Sequence, residues 1–351
     1  MSGRMSKIIA NFIATAAGVT VLTVVGGGCG GDKTPEKAEQ GGPTIGRCFV
    51  GGPIDRMPTG PSGMVLYEAD VVKHELRPIC KLPGIHVMGV AEDPSTDTLV
   101  MVGIRMYPGY HRSCVIVKRD RTSEGYQEFL LEEPYGIHRD WTVTYDADDG
   151  KFYIAIANSI FENATWIDEG LLYEYDPRNG ELSELAKPEY AIKLVGAGPD
   201  NKLYVVYTEP ASSSPRPHLF GYLDTKELKI YPSDFEPPPG RWGTGAAVYP
   251  INVQSEGPLY YYVSGRKGPR DYFKVAYVTD PRDRNYYREF PLESGAYAIM
   301  YSSKRDVLFY LLHTGARNQK LIGRKLSDGA EYSFELPLSG PWYLYTLIGA
   351  D

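Results

Sequence analysis

The sequence predicts an all-β fold: a six-bladed β-propeller of four-stranded antiparallel blades, its ring closed by the C-terminal strand joining the N-terminal strands. Three observations carry this reading. They are a composition that favours strands and tight turns, three short signatures recurring about every 50 residues, and the order in which those signatures begin and end.

The 351 residues are 42% hydrophobic, enough to bury a large core, and include 28 Tyr, 38 Gly and 27 Pro. Tyrosine suits a pleated, half-buried surface, while Gly and Pro set turns. Beyond the N-terminus no long stretch keeps a helical apolar period.

The first signature is an apolar run ending in a polar turn. It appears at Val87-Met88-Gly89-Val90-Ala91, Trp141-Thr142-Val143-Thr144-Tyr145 and Ile192-Lys193-Leu194-Val195. It returns at Gly245-Ala246-Ala247-Val248-Tyr249, Tyr297-Ala298-Ile299-Met300-Tyr301 and, last, across residues 342–348. The second signature follows each turn, with cores at Cys48-Phe49-Val50, Leu99-Val100, Phe152-Tyr153, Leu203-Tyr204, Leu259-Tyr260 and Val307-Leu308. The third runs into an aspartate, at Asp70, Asp120, Asp176, Asp224, Asp280 and Asp328. A weaker fourth strand follows each of these.

The chain thus begins on a second strand and ends on an isolated first strand. Pairing residues 342–348 with residues 47–50 completes a sixth blade and leaves no open sheet edge. A seventh blade needs one more copy of each signature, and none is present. The repeated aspartates invite a catalytic reading, but their periodicity assigns them to turns, where a carboxylate accepts hydrogen bonds from backbone amides.

At the N-terminus, Arg4 and Lys7 precede an apolar run over residues 8–25 and then Gly26-Gly27-Gly28-Cys29. A basic start, an apolar stretch and small residues make a secretory signal over residues 1–28. The Cys after small residues resembles a bacterial lipobox, which implies lipidation at Cys29, although Gly26 stands where lipoboxes carry Leu. Residues 29–44 read as a flexible tether and 45–351 as the propeller. The folded part is therefore expected outside the cytoplasm, in the cell envelope or secreted, touching the membrane through the lipid alone. Cys48, Cys80 and Cys114 are odd in number and widely spaced, so free buried thiols are expected rather than disulfides or a zinc site.

The net charge of −7 argues against nucleic-acid binding, which needs a basic face. A monomer is expected. In a blade, the first-to-second and third-to-fourth turns share one face, and here they are short and acidic. The second-to-third loops and the connections between blades share the other face, and here they are long. Loops on a rigid scaffold carry function, so the long-loop face is the candidate. Five of six histidines map to it: His86, His111, His138, His218 and His313.

Candidate ligand-binding residues on that face are His86, Trp141, Lys193, Trp242, Arg266, Arg270, His313 and Trp342. Aromatic platforms beside Arg and His donors suit a sugar bearing a carboxylate or sulfate. Packing of Trp141, Trp242 and Trp342 between blades is the competing explanation for those three. The cofactor is unassigned; a divalent metal enters if two or three of the histidines converge.

The phrase Leu171-Leu172-Tyr173-Glu174-Tyr175-Asp176-Pro177, followed by Gly180-Glu181-Leu182, resembles the blade phrase of bacterial extracytoplasmic propellers. That resemblance implies fold rather than activity. The His, Tyr and Arg set is similar in kind to that of propeller polysaccharide lyases such as oligogalacturonate and ulvan lyases. By that analogy His138 or His111 would be the base, Tyr190 the proton donor, and Arg241 or Arg139 the carboxylate neutraliser in β-elimination. The Ser-x-Asp-x-Gly-x-Thr-Trp box of sialidases is absent, as is a channel set of oxygen ligands for calcium. The sequence-level expectation is a lipid-anchored propeller that binds a glycan, peptide or envelope protein, with a lyase acting on uronic-acid glycans as the alternative.

Overall fold

A computed structural model describes residues 15–16, 19–24, 46–53, 63–108, 110–131, 138–162, 165–186, 191–197, 202–208, 219–232, 247–250, 259–266, 272–280, 283–293, 295–302, 305–315, 318–337 and 345–349. The protein is an all-β propeller of small antiparallel sheets. The N-terminal strands are β1 (Thr15–Ala16) and β2 (Val19–Val24). The closing sheet takes β3 (Arg47–Pro53), β4 (Met64–Asp70) and β5 (Glu75–Leu82). Next come β6 (Ile85–Asp93), β7 (Thr98–Tyr107), β8 (Tyr110–Lys118) and β9 (Tyr126–Leu130), and then β10 (His138–Asp146), β11 (Lys151–Glu162), β12 (Thr165–Asp176) and β13 (Glu181–Ala186). The following sheet holds β14 (Ala191–Ala197), β15 (Lys202–Thr208), β16 (Leu219–Asp224) and β17 (Lys229–Pro232). After it come β18 (Ala247–Pro250), β19 (Leu259–Arg266), β20 (Tyr272–Asp280) and β21 (Asp283–Leu292). The last full set is β22 (Ala296–Ser302), β23 (Val307–His313), β24 (Gln319–Lys325) and β25 (Glu331–Glu335), followed by the terminal β26 (Thr346–Gly349).

Five sheets are four-stranded blades: β10–β13, β14–β17, β18–β21, β22–β25 and the closing sheet in the order β26-β3-β4-β5. The expectation of six four-stranded blades is corrected here to five. The remaining sheet has six strands, in the order β1-β2-β9-β8-β7-β6, because β2 pairs antiparallel with the outer strand β9 from Thr20↔Leu130 to Val24↔Tyr126. The apolar, β-branched run VTVLTV, read from sequence as part of a leader, satisfies strand propensity on that edge. Among the described residues no helix is long and apolar enough to cross a membrane.

Closure occurs between the chain ends, with Thr346↔Gly51, Leu347↔Val50 and Gly349↔Phe49 paired and an irregularity at Ile348. Ile348 is 1% exposed and packs with Phe49, Val87 and Val90. Trp342, expected to open this strand, lies outside the described residues.

The core lies between neighbouring sheets. Side chains alternate across a strand, so a strand covered on both sides reads as an unbroken apolar run. Leu99 and Met101 of β7 face the closing sheet, whereas Val100 and Val102 face the β10–β13 sheet. In β11, Phe152, Ile154 and Ile156 pack towards β7 and β8, and Tyr153 and Ala155 towards β15. The first strands β22, β26, β6, β10 and β14 pack side by side in that order around the ring. Several depart from regular pairing: the ladder breaks at Met88 in β6, Lys193 in β14, Ala298–Ile299 in β22 and Ile348 in β26.

The repeated aspartates do turn work. Asp70 accepts the amides of Val72 and Lys73, both at 3.0 Å, and Asp224 those of Lys226 and Glu227, both at 2.9 Å. Asp120, Asp176 and Asp328 each accept the amide two residues on. The Asp280 carboxylate lies outside the described side chains. Cys48, Cys80 and Cys114 are thiols outside any disulfide, the first and last buried and Cys80 half-buried.

Candidate functional site

On the long-loop face, the described side chains converge where the β22–β25 sheet meets the closing sheet. Tyr297 sits near the start of β22, His313 ends β23, Gln319 begins β24 and Tyr345 leads into β26. The second-to-third hairpin that presents His313 is tied across its mouth by the Thr314 amide donating to the Asn318 carbonyl at 3.0 Å. The exposed His313 ring stacks on Tyr297 with centroids 4.3 Å apart and planes 14° apart. Cross-strand neighbours on one sheet face bring such rings together without help from remote parts of the chain.

Gln319 holds this corner from beneath. It is 2% exposed, and its Oε1 accepts the Tyr345 amide at 2.7 Å while its Nε2 donates to the Tyr345 carbonyl at 2.8 Å. The same Nε2 donates to the Tyr297 hydroxyl. Burial raises the Tyr297 hydroxyl above its ordinary value of 10.0, opposed by the Gln319 donor, so the group is a neutral phenol at physiological pH. Tyr345 in turn meets Tyr67 edge-on at 6.1 Å. Gly52 makes room for that pair, because a Cβ there would stand 2.6 Å from Tyr345 and 2.7 Å from Tyr67.

A second group lies on the same face in the neighbouring sheet. Arg105 donates from Nε to Glu128 Oε1 at 2.8 Å, pairs again with the second Glu128 oxygen, and donates from Nη1 to the Pro83 carbonyl at 2.8 Å. Burial opposes its charge, but the Glu128 hydrogen bonds and charge outweigh it and hold the guanidinium above its usual value. That arginine is committed to the fold. Arg112 donates to the Leu131 carbonyl at 3.1 Å and, among the described residues, has no carboxylate partner.

Three of the sequence-predicted site residues have described side chains. His313 is the stacked, exposed ring above. His86 is half-buried on β6, paired with Ile104. Trp141 packs against the core between sheets and its indole N–H donates to Ser113 Oγ at 2.9 Å, as the packing explanation expects. For five others only the backbone is described. His111 pairs with Met106, His138 with Ser159, Arg139 with Asn158 and Arg266 with Tyr272, while Lys193 stands at the β14 irregularity. Tyr190, Arg241, Trp242, Arg270, Trp342 and Cys29 lie outside the described residues. Among the described residues, no group of three or more His, Cys, Asp or Glu is placed to hold a metal.

Neither a family model nor a curated protein matches the chain. Solved structures do resemble it in fold. TolB from Acinetobacter baumannii superposes with a TM-score of 0.49 at 11% identity over 85% of this chain; the chain spans 66% of TolB, just under two thirds. An oligogalacturonate lyase in complex with manganese gives 0.46 at 13% identity, over 82% of this chain and 73% of the lyase. An α-L-arabinanase from Penicillium chrysogenum complexed with arabinobiose gives 0.45 at 12% identity, over 80% and 86% of the two chains.

Proposed function

We propose that this protein is an extracytoplasmic, lipid-anchored propeller that binds a ligand, foremost an acidic glycan, through its long-loop face. In this reading β2 is a leader segment resting on the outer edge of the six-stranded sheet before processing at Cys29. The observation that supports ligand binding most is the exposed His313 ring stacked on Tyr297 above the buried Gln319. An aromatic shelf with polar tips offers a flat apolar contact and a hydrogen bond to the same sugar ring. Arg112, with no carboxylate partner among the described residues, supports an anionic group on the ligand.

The test incubates the full chain with a panel of neutral and uronic-acid polysaccharides, following both binding and the absorbance of an unsaturated product. Saturable binding of the acidic glycans without product is the expected result. Product that disappears in a folded His138→Ala variant would replace binding with β-elimination. Failure to bind any acidic glycan sinks the glycan reading.

A further inference from the structure

Resting on that reading, we propose that the Tyr297 hydroxyl is the ligand's hydrogen-bond donor at this corner, aimed by Gln319 at an acceptor oxygen of an acidic sugar. The inference comes from proton bookkeeping around one buried amide. A glutamine amide has one acceptor oxygen and two N–H donors, and its orientation follows from its partners. Here Tyr345 supplies a backbone N–H to Oε1 at 2.7 Å and a carbonyl to Nε2 at 2.8 Å. Reversing the amide would set oxygen against oxygen and N–H against N–H, so the pairing admits one orientation.

One Nε2 hydrogen is therefore spent on the Tyr345 carbonyl, and the other points at Tyr297. The phenol oxygen is the acceptor in that bond, which leaves its own proton to be donated elsewhere. Among the described residues nothing accepts it. The ring is held on its face by His313, stacked 4.3 Å away, and at its hydroxyl by Gln319, so the hydroxyl has a fixed position at this corner. A fixed donor with no internal acceptor is the ordinary form of a specificity contact for a sugar hydroxyl or carboxylate oxygen. Gln319 acts only through Tyr297 and is a positioning residue. Its consequence is directional: with the amide already donating to the phenol oxygen, the proton of the tyrosine is the group left to offer a ligand.

The variant Tyr297→Phe keeps the ring and the stack and removes only the donor. With the full chain and oligogalacturonate as the probe, binding is expected to weaken about tenfold, at the upper end of what one neutral hydrogen bond contributes, while the melting temperature stays close to wild type. Equal binding by wild type and Tyr297→Phe would overturn the donor assignment and leave the glycan-binding reading standing. Should wild type bind no probe, that reading falls, and the donor assignment is then decided without ligand. The wild-type minus Tyr297→Phe resonance Raman difference spectrum of the free protein is expected to carry the tyrosine doublet of a hydroxyl that accepts a strong hydrogen bond. The doublet of a hydroxyl that only donates would overturn the Gln319 orientation and the proposal with it.

Discussion

At the residue scale, Gln319 shows how a side chain without chemistry of its own organises a site. Its amide replaces a peptide group, pairing with both backbone atoms of Tyr345 just before the closing strand begins. The sequence offers no sign of this, because the partner is 26 residues away and reaches Gln319 only once the ring closes. His313 was legible as a polar residue on a long-loop face; its stacking partner Tyr297 was legible only as the first residue of a recurring apolar run. The thiols give a sharper test. Burial drives the Cys48 thiol well above its ordinary value of 9.0 and pushes Cys80 up to about 11, with Lys118 partly offsetting the latter. A folded-state pKa raised above the unfolded one means the contribution is complete below about pH 9 and is lost as pH rises through the folded value. Urea denaturation at pH 8 and pH 10 is expected to show lower stability at the higher pH. Each thiol adds up to about 1.4 kcal/mol per pH unit to that slope. The Cys48→Ala variant is expected to lose part of the slope, and an unchanged slope would show that Cys48 ionises freely in the fold.

At the element scale, strands were the most readable part of the chain. Apolar runs such as Leu99 to Val102 and Phe152 to Ala157 declared themselves as central strands because both their faces are covered. The aspartate turns were readable for a local reason: each carboxylate bonds the backbone two or three residues on, so the whole interaction lies within a few positions. The irregularities in the first strands were not readable, since they depend on what the partner strand allows. In β6 the departure at Met88 brings the His86 carbonyl against Gly103 of β7, where a Cβ would stand 2.2 Å from that oxygen. Backbone cannot move aside as a flexible side chain can, so Gly103→Ala is expected to cost about 1–3 kcal/mol in denaturant unfolding. A neutral result would mean that the two strands do not approach so closely. The pairing of β2 was not readable either: signal-like composition and strand propensity describe the same residues, and composition does not say which strand edge such a run meets.

At the scale of the whole molecule, the closing sheet is held by charges on the face opposite the candidate site. Arg47 pairs with Glu68 at 3.1 Å and with Glu92 at 3.0 Å. Arg121 from the β8–β9 turn pairs with both carboxylates and reaches Asp97 at 2.6 Å. Arg305, from the turn before β23, donates to the Arg47 carbonyl at 2.8 Å, and the guanidinium groups of Arg47 and Arg121 each lie 5.6 Å from the Phe49 ring centre. Three sheets are thereby joined across both seams of the one that contains the two ends of the propeller. Burial raises the Glu92 carboxyl above its ordinary value, with Arg47 opposing. Removing a cation from such a partly buried network leaves that carboxylate short of compensation. The Arg121→Ala variant is accordingly expected to lose about 1–3 kcal/mol, read by chemical denaturation. An effect below about 0.5 kcal/mol would reduce the network to surface decoration.

Closure and site meet at Tyr345, which leads into the last strand and carries the Gln319 pairing on the long-loop face. Which face binds is therefore the most direct question to put to the molecule. It is answered by calorimetric titration of the full chain with oligogalacturonate, comparing wild type with His313→Ala on the long-loop face and with Lys226→Ala in an exposed turn on the opposite face. The expected result is saturable binding that weakens at least tenfold in His313→Ala and is unchanged in Lys226→Ala. Binding indifferent to His313, or lost only with Lys226, would contradict the assignment of the long-loop face as the ligand-binding surface.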